Sequence, residues 1–318
     1  MPLMAGEGAP EVAIVGAGVI GLTLGVCLAE RGQAVRIHTL DKPEATTSAV
    51  ASAMIGPVVS PPDSRAGTLE RAGLQEFTEL ASVPGNGVAM RRGRLVSREE
   101  HPPMPGMEAC APGELPAGFA SGMWATLPLV DMPVYLDYLT RRFLTVGGKI
   151  VYGPVRSLAA LATLAPRAAN CAGLGARELV PDSAMTASRG QHVVVRNPGL
   201  EEFFIEAPFT PSWAAYWPYP EHVVLGGIRS VGDERPEPDP DVAEQILRRC
   251  IKVEPRLRDA EVLGIQVGIR PERPEVRLEL EYVGGTPVVH NYGHGGSGVT
   301  MSWASARQAA ALLLGPQS

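Results

Sequence analysis

The sequence predicts an α/β fold built from two interleaved parts, and three observations carry that prediction. Residues 12–15 are four apolar, partly β-branched residues that read as a buried strand. Gly16, Gly18 and Gly21 follow at once at G-x-G-x-x-G spacing and lead into a helical stretch over 22–31. Strand and helix signals of the same kind return in the middle and at the end of the chain, with β-rich material between them. At 318 residues and 45% hydrophobic content, the chain can bury one large or two moderate cores.

The opening segment is a dinucleotide-binding βαβ start. Gly16 permits the tight turn, Gly18 lets the backbone approach a pyrophosphate, and Gly21 lets helix and strand pack closely. The free N–H groups and dipole of the helix start would then hold phosphate. The same spacing also occurs in αβ turns that bind nothing. Ile20, Leu24 and Leu28 recur every four residues and give this helix a core face. Arg31-Gly32 stops it, with glycine in the capping position, and 35–38 is the second strand.

After Ser60-Pro61-Pro62-Asp63, residues 65–82 read as an amphipathic helix with Leu69, Leu74, Phe77 and Leu80 apolar. The Gly-, Pro- and Met-rich segment 83–129 is expected to be irregular, with short strand-like runs such as 94–96. Asp131, near a cap, and Pro133 open a helix that lasts to about 146 and ends at Gly147-Gly148. A strand at 149–152 then returns the chain to the first sheet. Short strands are expected at 168–171 and 191–195, and 203–227 is β-rich. Asp239-Pro240 starts a helix running to about 253, before Pro255. Residues 262–269, 276–282 and 288–290 are strand candidates. The last leads into Gly293-His294-Gly295-Gly296-Ser297-Gly298 and a final helix, 299–314, ended by Gly315-Pro316. No internal repeat is visible. The expected division is a discontinuous Rossmann-type dinucleotide domain of 11–58, 130–190 and 285–318, interleaved with a mixed β-sheet substrate domain of 59–129 and 191–284.

Composition excludes several partners. A net charge of −6 leaves no electrostatic footprint for nucleic acid or an anionic membrane surface. No apolar run approaches the roughly 18 residues of a membrane span. Residues 1–10 are expected to be a short disordered lead rather than a signal peptide, and the C-terminus carries no peroxisomal address. The four cysteines form no C-x-x-C pair and the six histidines are scattered, so no metal site is expected. Cys27 and Cys171 read as buried thiols, and a reducing, cytoplasmic compartment is expected. A homodimer is the oligomer left open.

Two groups after the second strand bear on the ligand. Asp41 stands where an acidic residue binds a ribose 2′-OH, slightly late for that role, and it also reads as a solvated turn residue. Thr46, Thr47 and Ser48 can donate to phosphate or serve as ordinary loop polars.

Five stretches together resemble the D-amino-acid oxidase family. They are Gly16-Ala17-Gly18-Val19-Ile20-Gly21-Leu22, Asn170-Cys171-Ala172-Gly173, Arg189-Gly190-Gln191, Gly268-Ile269-Arg270-Pro271-Glu272 with its continuation to Glu279, and His290-Asn291-Tyr292-Gly293-His294-Gly295-Gly296-Ser297-Gly298. The resemblance covers nearly the whole chain and is weakest over 58–125. It implies FAD as cofactor and oxidation of a small-molecule D-amino acid to an imino acid, with O2 reduced to H2O2. Matched residue by residue, it places Gly16, Gly18, Val19 and Ile20 at the pyrophosphate, Asp41 near the ribose, and Thr46, Thr47 and Ser48 at phosphate. It places Ala53 and Met54 along the flavin, Val155 at the adenine, and Gly295, Gly296, Ser297, Gly298, Val299 and Thr300 around the pyrimidine edge of the flavin.

The resemblance assigns Arg270 to the substrate carboxylate, beside the flavin. A guanidinium binds a carboxylate bidentately and stays charged at any working pH. From the residues alone a structural ion pair competes, because Glu272, Glu275 and Glu279 are close in sequence. Arg273 and Arg277 are read as structural. Tyr216 resembles a tyrosine that also meets the substrate carboxylate, with Tyr219 as competitor and a plain core aromatic as alternative; Ser297 is counted with the substrate side as well. No general base is evident, and hydride transfer from a neutral amine needs none. His294 is expected to scaffold its loop rather than act in chemistry.

Two departures from the family pattern stand out. The stretch Pro208-Phe209-Thr210-Pro211-Ser212-Trp213 holds no second lid tyrosine, so a more open pocket is expected. Gly56, in Ile55-Gly56-Pro57, supplies no cation, so neutral or apolar D-amino acids are expected over D-aspartate or D-glutamate. The alternatives are a related flavin amine oxidase acting on glycine, sarcosine or a cyclic imino acid, a nicotinamide-dependent dehydrogenase, and a flavin module without catalysis.

Overall fold

A computed structural model describes residues 9–207 and 211–315. The expectations for residues 1–8, for Pro208-Phe209-Thr210 and for Pro316 lie outside the described residues.

The chain opens with β1 (Val12–Val15), α1 (Val19–Ala29) and β2 (Val35–Thr39). A 3-10 turn, Thr47–Val50, leads to β3 (Ala53–Met54) and α2 (Arg65–Leu80). Then come β4 (Val88–Ser97), β5 (Glu108–Ala109), β6 (Ser121–Val130), α3 (Met132–Thr145), β7 (Lys149–Tyr152), α4 (Leu158–Ala162), β8 (Arg167–Asn170) and α5 (Ala176–Leu179). The remainder holds β9 (Thr186–Arg196), β10 (Phe203–Glu206), β11 (Ser212–Pro218), β12 (His222–Ile228), β13 (Ser230–Val231), α6 (Pro240–Val253), β14 (Val262–Val283), β15 (Thr286–His294) and α7 (Gly298–Leu314).

Strands β15, β8, β1, β2 and β7 lie side by side and all parallel, the doubly wound half that the opening glycines imply. The other half is mostly antiparallel, in the order β3-β6-β4-β10-β11-β12-β9-β14. β14 joins them: residues 262–272 pair with β9, and from Arg277 onward the strand pairs with β15. The register breaks between Glu272 and Arg277, where the partner changes. Pro274 falls in that break, where its missing N–H costs no ladder bond. That is why the two expected strands, 262–269 and 276–282, are one strand across two prolines.

α1 is buried almost all round, because the sheet covers one side while α3 and α7 cover the others. Leu22, Leu24, Val26 and Leu28 are all fully enclosed, a wider apolar surface than the four-residue spacing suggests. Gly32 caps the helix end with φ of +81°, and Asp239 caps α6 by accepting from the N–H groups of Asp241 and Val242. α2 lies within the expected substrate segment, yet its Leu69, Phe77 and Leu80 share one apolar cluster with α1 and α7. No helix among the described residues is long and apolar enough to cross a membrane.

The expectation of an irregular 83–129 is corrected. β4 and β6 pair over their full length, Val88↔Val130 through Ser97↔Ser121. Their alternation was hidden because Arg92 and Arg94 cover the Trp124 ring instead of standing free in solvent. The last strand is likewise longer than the expected 288–290. It runs to His294, because its buried polar residues Asn291 and His294 break the apolar pattern.

Candidate active site

The site lies where the parallel strands end and the two halves of the sheet meet. A cavity of about 870 Å³ runs along this edge, within the range of small-molecule sites. Its floor is the β1–α1 turn. Gly16 takes φ of +102°, and a side chain at Gly21 would collide with the Gly16 carbonyl, so both positions need glycine. The α1 start turns unpaired N–H groups toward the cavity. Ser48 accepts one of them, from Val19, at 3.0 Å.

The structure brings most of the expected residues to this one cavity: Gly16, Gly18, Val19, Ile20, Asp41, Thr46, Thr47, Ser48, Val155, Arg270, Gly295, Gly296, Gly298 and Val299. The hydroxyl of Thr46 donates to the Pro43 carbonyl at 2.7 Å, so Thr47 and Ser48 are the better placed hydroxyl donors of that run. Ala53, Met54 and Thr300 line a smaller cavity of about 120 Å³. Thr47, Arg270, Gly296 and Val299 border both.

Arg270 stands at that junction. Its guanidinium lies flat over Gly190 of β9, with Cζ only 2.7 Å from where a side-chain carbon at Gly190 would sit. Burial pushes its pKa down, and Glu272 only partly offsets this. Glu272 is taken by Arg229, at 2.5 and 3.1 Å. Nη1 of Arg270 is buried and has no partner among the described residues. Arg273 and Arg277 differ: the first pairs with Asp182 at 3.0 Å, the second with Glu279 at 2.6 Å. A buried cation with an open donor, facing a cavity, has the chemistry to bind an anion. Gly190→Ala tests the placement. It should leave the unfolding free energy within about 1 kcal/mol, because the displaced atoms end a flexible side chain. It should also raise the substrate KM tenfold or more.

Asn291 makes the same point from the other side of the large cavity. It is fully buried and lines the cavity, and neither Oδ1 nor Nδ2 has a partner among the described residues. Leaving a buried amide unpaired costs about 1–3 kcal/mol, so a polar ligand or water is called for. Asn291 lies within the family-like stretch 290–298, but its burial appears only when β15 is flanked by β8 and β14.

Tyr216 is corrected. It lines neither cavity. On β11 its side chain points to the α6 face, stacked on Phe204 at 5.5 Å and buried with Leu225 and Ile246. Burial pushes its hydroxyl up to about 12. Its neighbour Trp217 takes the opposite face and meets the His192 ring at 5.9 Å. Successive residues of a strand alternate faces, which puts Tyr216 and Trp217 on opposite sides of the sheet. Tyr219 is also enclosed, donating to the Val130 carbonyl at 3.1 Å. Ser297 lines neither cavity and sits at the start of α7. His294 borders the large cavity and contacts Ser305 Oγ at 3.3 Å.

Residues 11–312 match the family model described as DAO, FAD dependent oxidoreductase. The chain is 43% identical to a D-amino-acid oxidase of Rubrobacter xylanophilus over 97% of both chains. It is 43% identical to one of Streptomyces coelicolor over 95% of this chain and 96% of that one. A D-aspartate oxidase of Homo sapiens is 33% identical, covering 95% of this chain and 94% of its own length. Among solved structures, glycine oxidase from Geobacillus kaustophilus superposes with a TM-score of 0.82 over 97% of this chain and 95% of that one. At 18% identity it shows the shared fold.

Proposed function

The chain belongs to the FAD-dependent oxidoreductase family, and from that premise we propose that it is a D-amino-acid oxidase whose two cavities serve one reaction. The open, buried guanidinium of Arg270 between the two cavities carries this reading.

The larger cavity fits FAD in its size, its helix-start donors and the unpaired amide of Asn291. Gly16, Gly18, Val19 and Ile20, with Thr47 and Ser48, would hold the diphosphate. Asp41 would hold the ribose and Val155 the adenine. Gly295, Gly296, Gly298, Val299 and Thr300 would hold the pyrimidine edge of the flavin, with Ala53 and Met54 alongside. There the start of α7, a 17-residue helix, favours negative charge. Bound FAD supplies the two-electron acceptor for the hydride leaving the substrate Cα, and its electrons then reduce O2 to H2O2. The division of the chain at 11–58, 130–190 and 285–318 against 59–129 and 191–284 belongs to the same proposal.

Arg270 clamps the substrate carboxylate, which leaves the Cα–H as the bond to be aimed. The imidazole of His192 has both nitrogens engaged by protein atoms, and no carboxylate lines the smaller cavity among the described residues. The substrate therefore reacts as the neutral amine and releases its proton to water. Hydride loss from Cα leaves an imino acid, which water hydrolyses to a 2-oxo acid and ammonia. The four cysteines are free, which supports a reducing, cytoplasmic setting.

Arg270 is the sole Lys or Arg lining the smaller cavity among the described residues. A second carboxylate on the substrate would find no cation there. Turnover of D-alanine, D-methionine and D-phenylalanine is expected to exceed that of D-aspartate and D-glutamate at least tenfold in kcat/KM. Peroxide release across that panel measures it, and fast D-aspartate oxidation with slow D-alanine oxidation would sink the neutral-substrate preference.

A further inference from the structure

His192 is buried, borders the smaller cavity, and has no part in the chemistry described above. Both of its ring nitrogens face one short stretch of chain. Nδ1 lies 3.2 Å from the Val50 carbonyl and Nε2 lies 3.3 Å from Ser52 Oγ. A carbonyl can only accept, so Nδ1 carries the proton, and Nε2 of the neutral ring accepts a hydrogen bond from the Ser52 hydroxyl. Burial and the neighbouring Arg270 both hold this imidazole uncharged.

The stretch it grips connects everything expected to touch the cofactor from this side. Two residues before Val50, Ser48 accepts the first N–H of α1. One residue after Ser52, Ala53–Met54 lines the smaller cavity. On the next strand Gly268 lets the turn sit down, with Val50 Cγ2 only 3.0 Å from where a side chain would begin. Gly226 on β12 leaves room for the imidazole and the Trp217 ring together. On either side of it, Thr47–Val50 packs against β14 and Ala53–Met54 pairs with β6, so His192 is the side chain that fixes residues 50–52 between them.

We propose that His192 is a positioning residue for the cofactor: by clamping Val50 and Ser52 onto β9, it sets the turn carrying Thr47 and Ser48 and the strand Ala53–Met54 at the distance FAD requires. This rests on the reading of the large cavity as the FAD site. His192 thereby couples the substrate half of the sheet to the dinucleotide half without touching a reacting atom.

The test is the flavin fluorescence released when purified holoenzyme is diluted, which gives the FAD Kd. His192→Phe, with a ring and no nitrogens, is expected to release FAD at a tenfold higher protein concentration than the wild type. Ser52→Ala should shift release about threefold. His192→Asn keeps a donor at the Nδ1 position and should recover most of the affinity, a rescue that simple space-filling would not produce. FAD release from His192→Phe at the wild-type concentration overturns the proposal. If that variant is not recovered folded, unchanged release from Ser52→Ala overturns it instead. Wild-type protein purified without flavin overturns the FAD reading and this inference with it.

Discussion

Arg270→Ala is expected to raise the KM for a neutral D-amino acid about a hundredfold or more while the protein keeps its FAD. Truncating one partner of a buried, hydrogen-bonded charge pair costs about 2–5 kcal/mol, and each 1.4 kcal/mol is a factor of ten. The effect falls on the substrate because Arg270 reaches its cavity with a free Nη1, whereas the adjacent carboxylate, Glu272, already holds Arg229. Were Arg270 a structural ion pair, the variant would lose unfolding stability and keep its KM. Arg270→Lys separates charge from geometry: a point charge restores attraction without the two-pronged fit, so its KM should lie between wild type and alanine. Steady-state KM and the flavin absorbance of the purified variants decide the matter. A wild-type KM in Arg270→Ala contradicts the carboxylate role.

The second large effect is a loss of stability in acid. Burial holds His192 and His294 down to about 4 in the folded protein, Arg270 adding to the shift at His192. In the unfolded chain both titrate near 6.5. The unfolded state therefore takes up protons first as pH falls. The stability held by the two neutral rings is intact above about pH 6.5 and drains away as pH drops toward 4. Each ring's loss rises from about half of 1.4 kcal/mol per pH unit at pH 6.5 to nearly all of it below, so from pH 6.5 to 5 the pair accounts for about 3 kcal/mol. Folded domains hold only about 5–15 kcal/mol in total. Burial lowers His38 and His290 in the same direction. Urea unfolding of the holoenzyme at pH 6.5 and 5 measures the loss. The double variant His192→Asn/His294→Asn should lose about 3 kcal/mol less over the same interval. Equal losses in variant and wild type would show that these rings are not held neutral by burial.

What could be seen in the sequence divides by how local its cause is. The Gly16 to Gly21 turn was legible because the positive φ of Gly16 and the closeness of Gly21 to the Gly16 carbonyl are demands set within a few residues. Arg270 was visible as a cation, but its freedom from Glu272 depends on Arg229, forty-one positions upstream and two strands away. Tyr216 sits on the face of its strand under α6, among Phe204, Leu225 and Ile246, and strand alternation alone does not tell a pocket face from a core face. Asn291 lay inside a family-like stretch and His192 in an expected strand, but an unpaired amide and a clamped imidazole are properties of packing that neither pattern shows. Only the 94–96 end of β4 was seen, because Arg91-Arg92-Gly93-Arg94 breaks the apolar alternation although Arg92 and Arg94 lie on aromatic rings.

On this proposal the opening glycines would anchor one end of the FAD, with its reactive end beside Arg270 at the junction of the two cavities. The most direct measurement is hydrogen peroxide release by the purified yellow protein across paired D- and L-amino acids with glycine and sarcosine alongside. The structure predicts peroxide from D-alanine, D-methionine and D-phenylalanine and none from their L-enantiomers. Peroxide from glycine or sarcosine with none from any D-amino acid would contradict it.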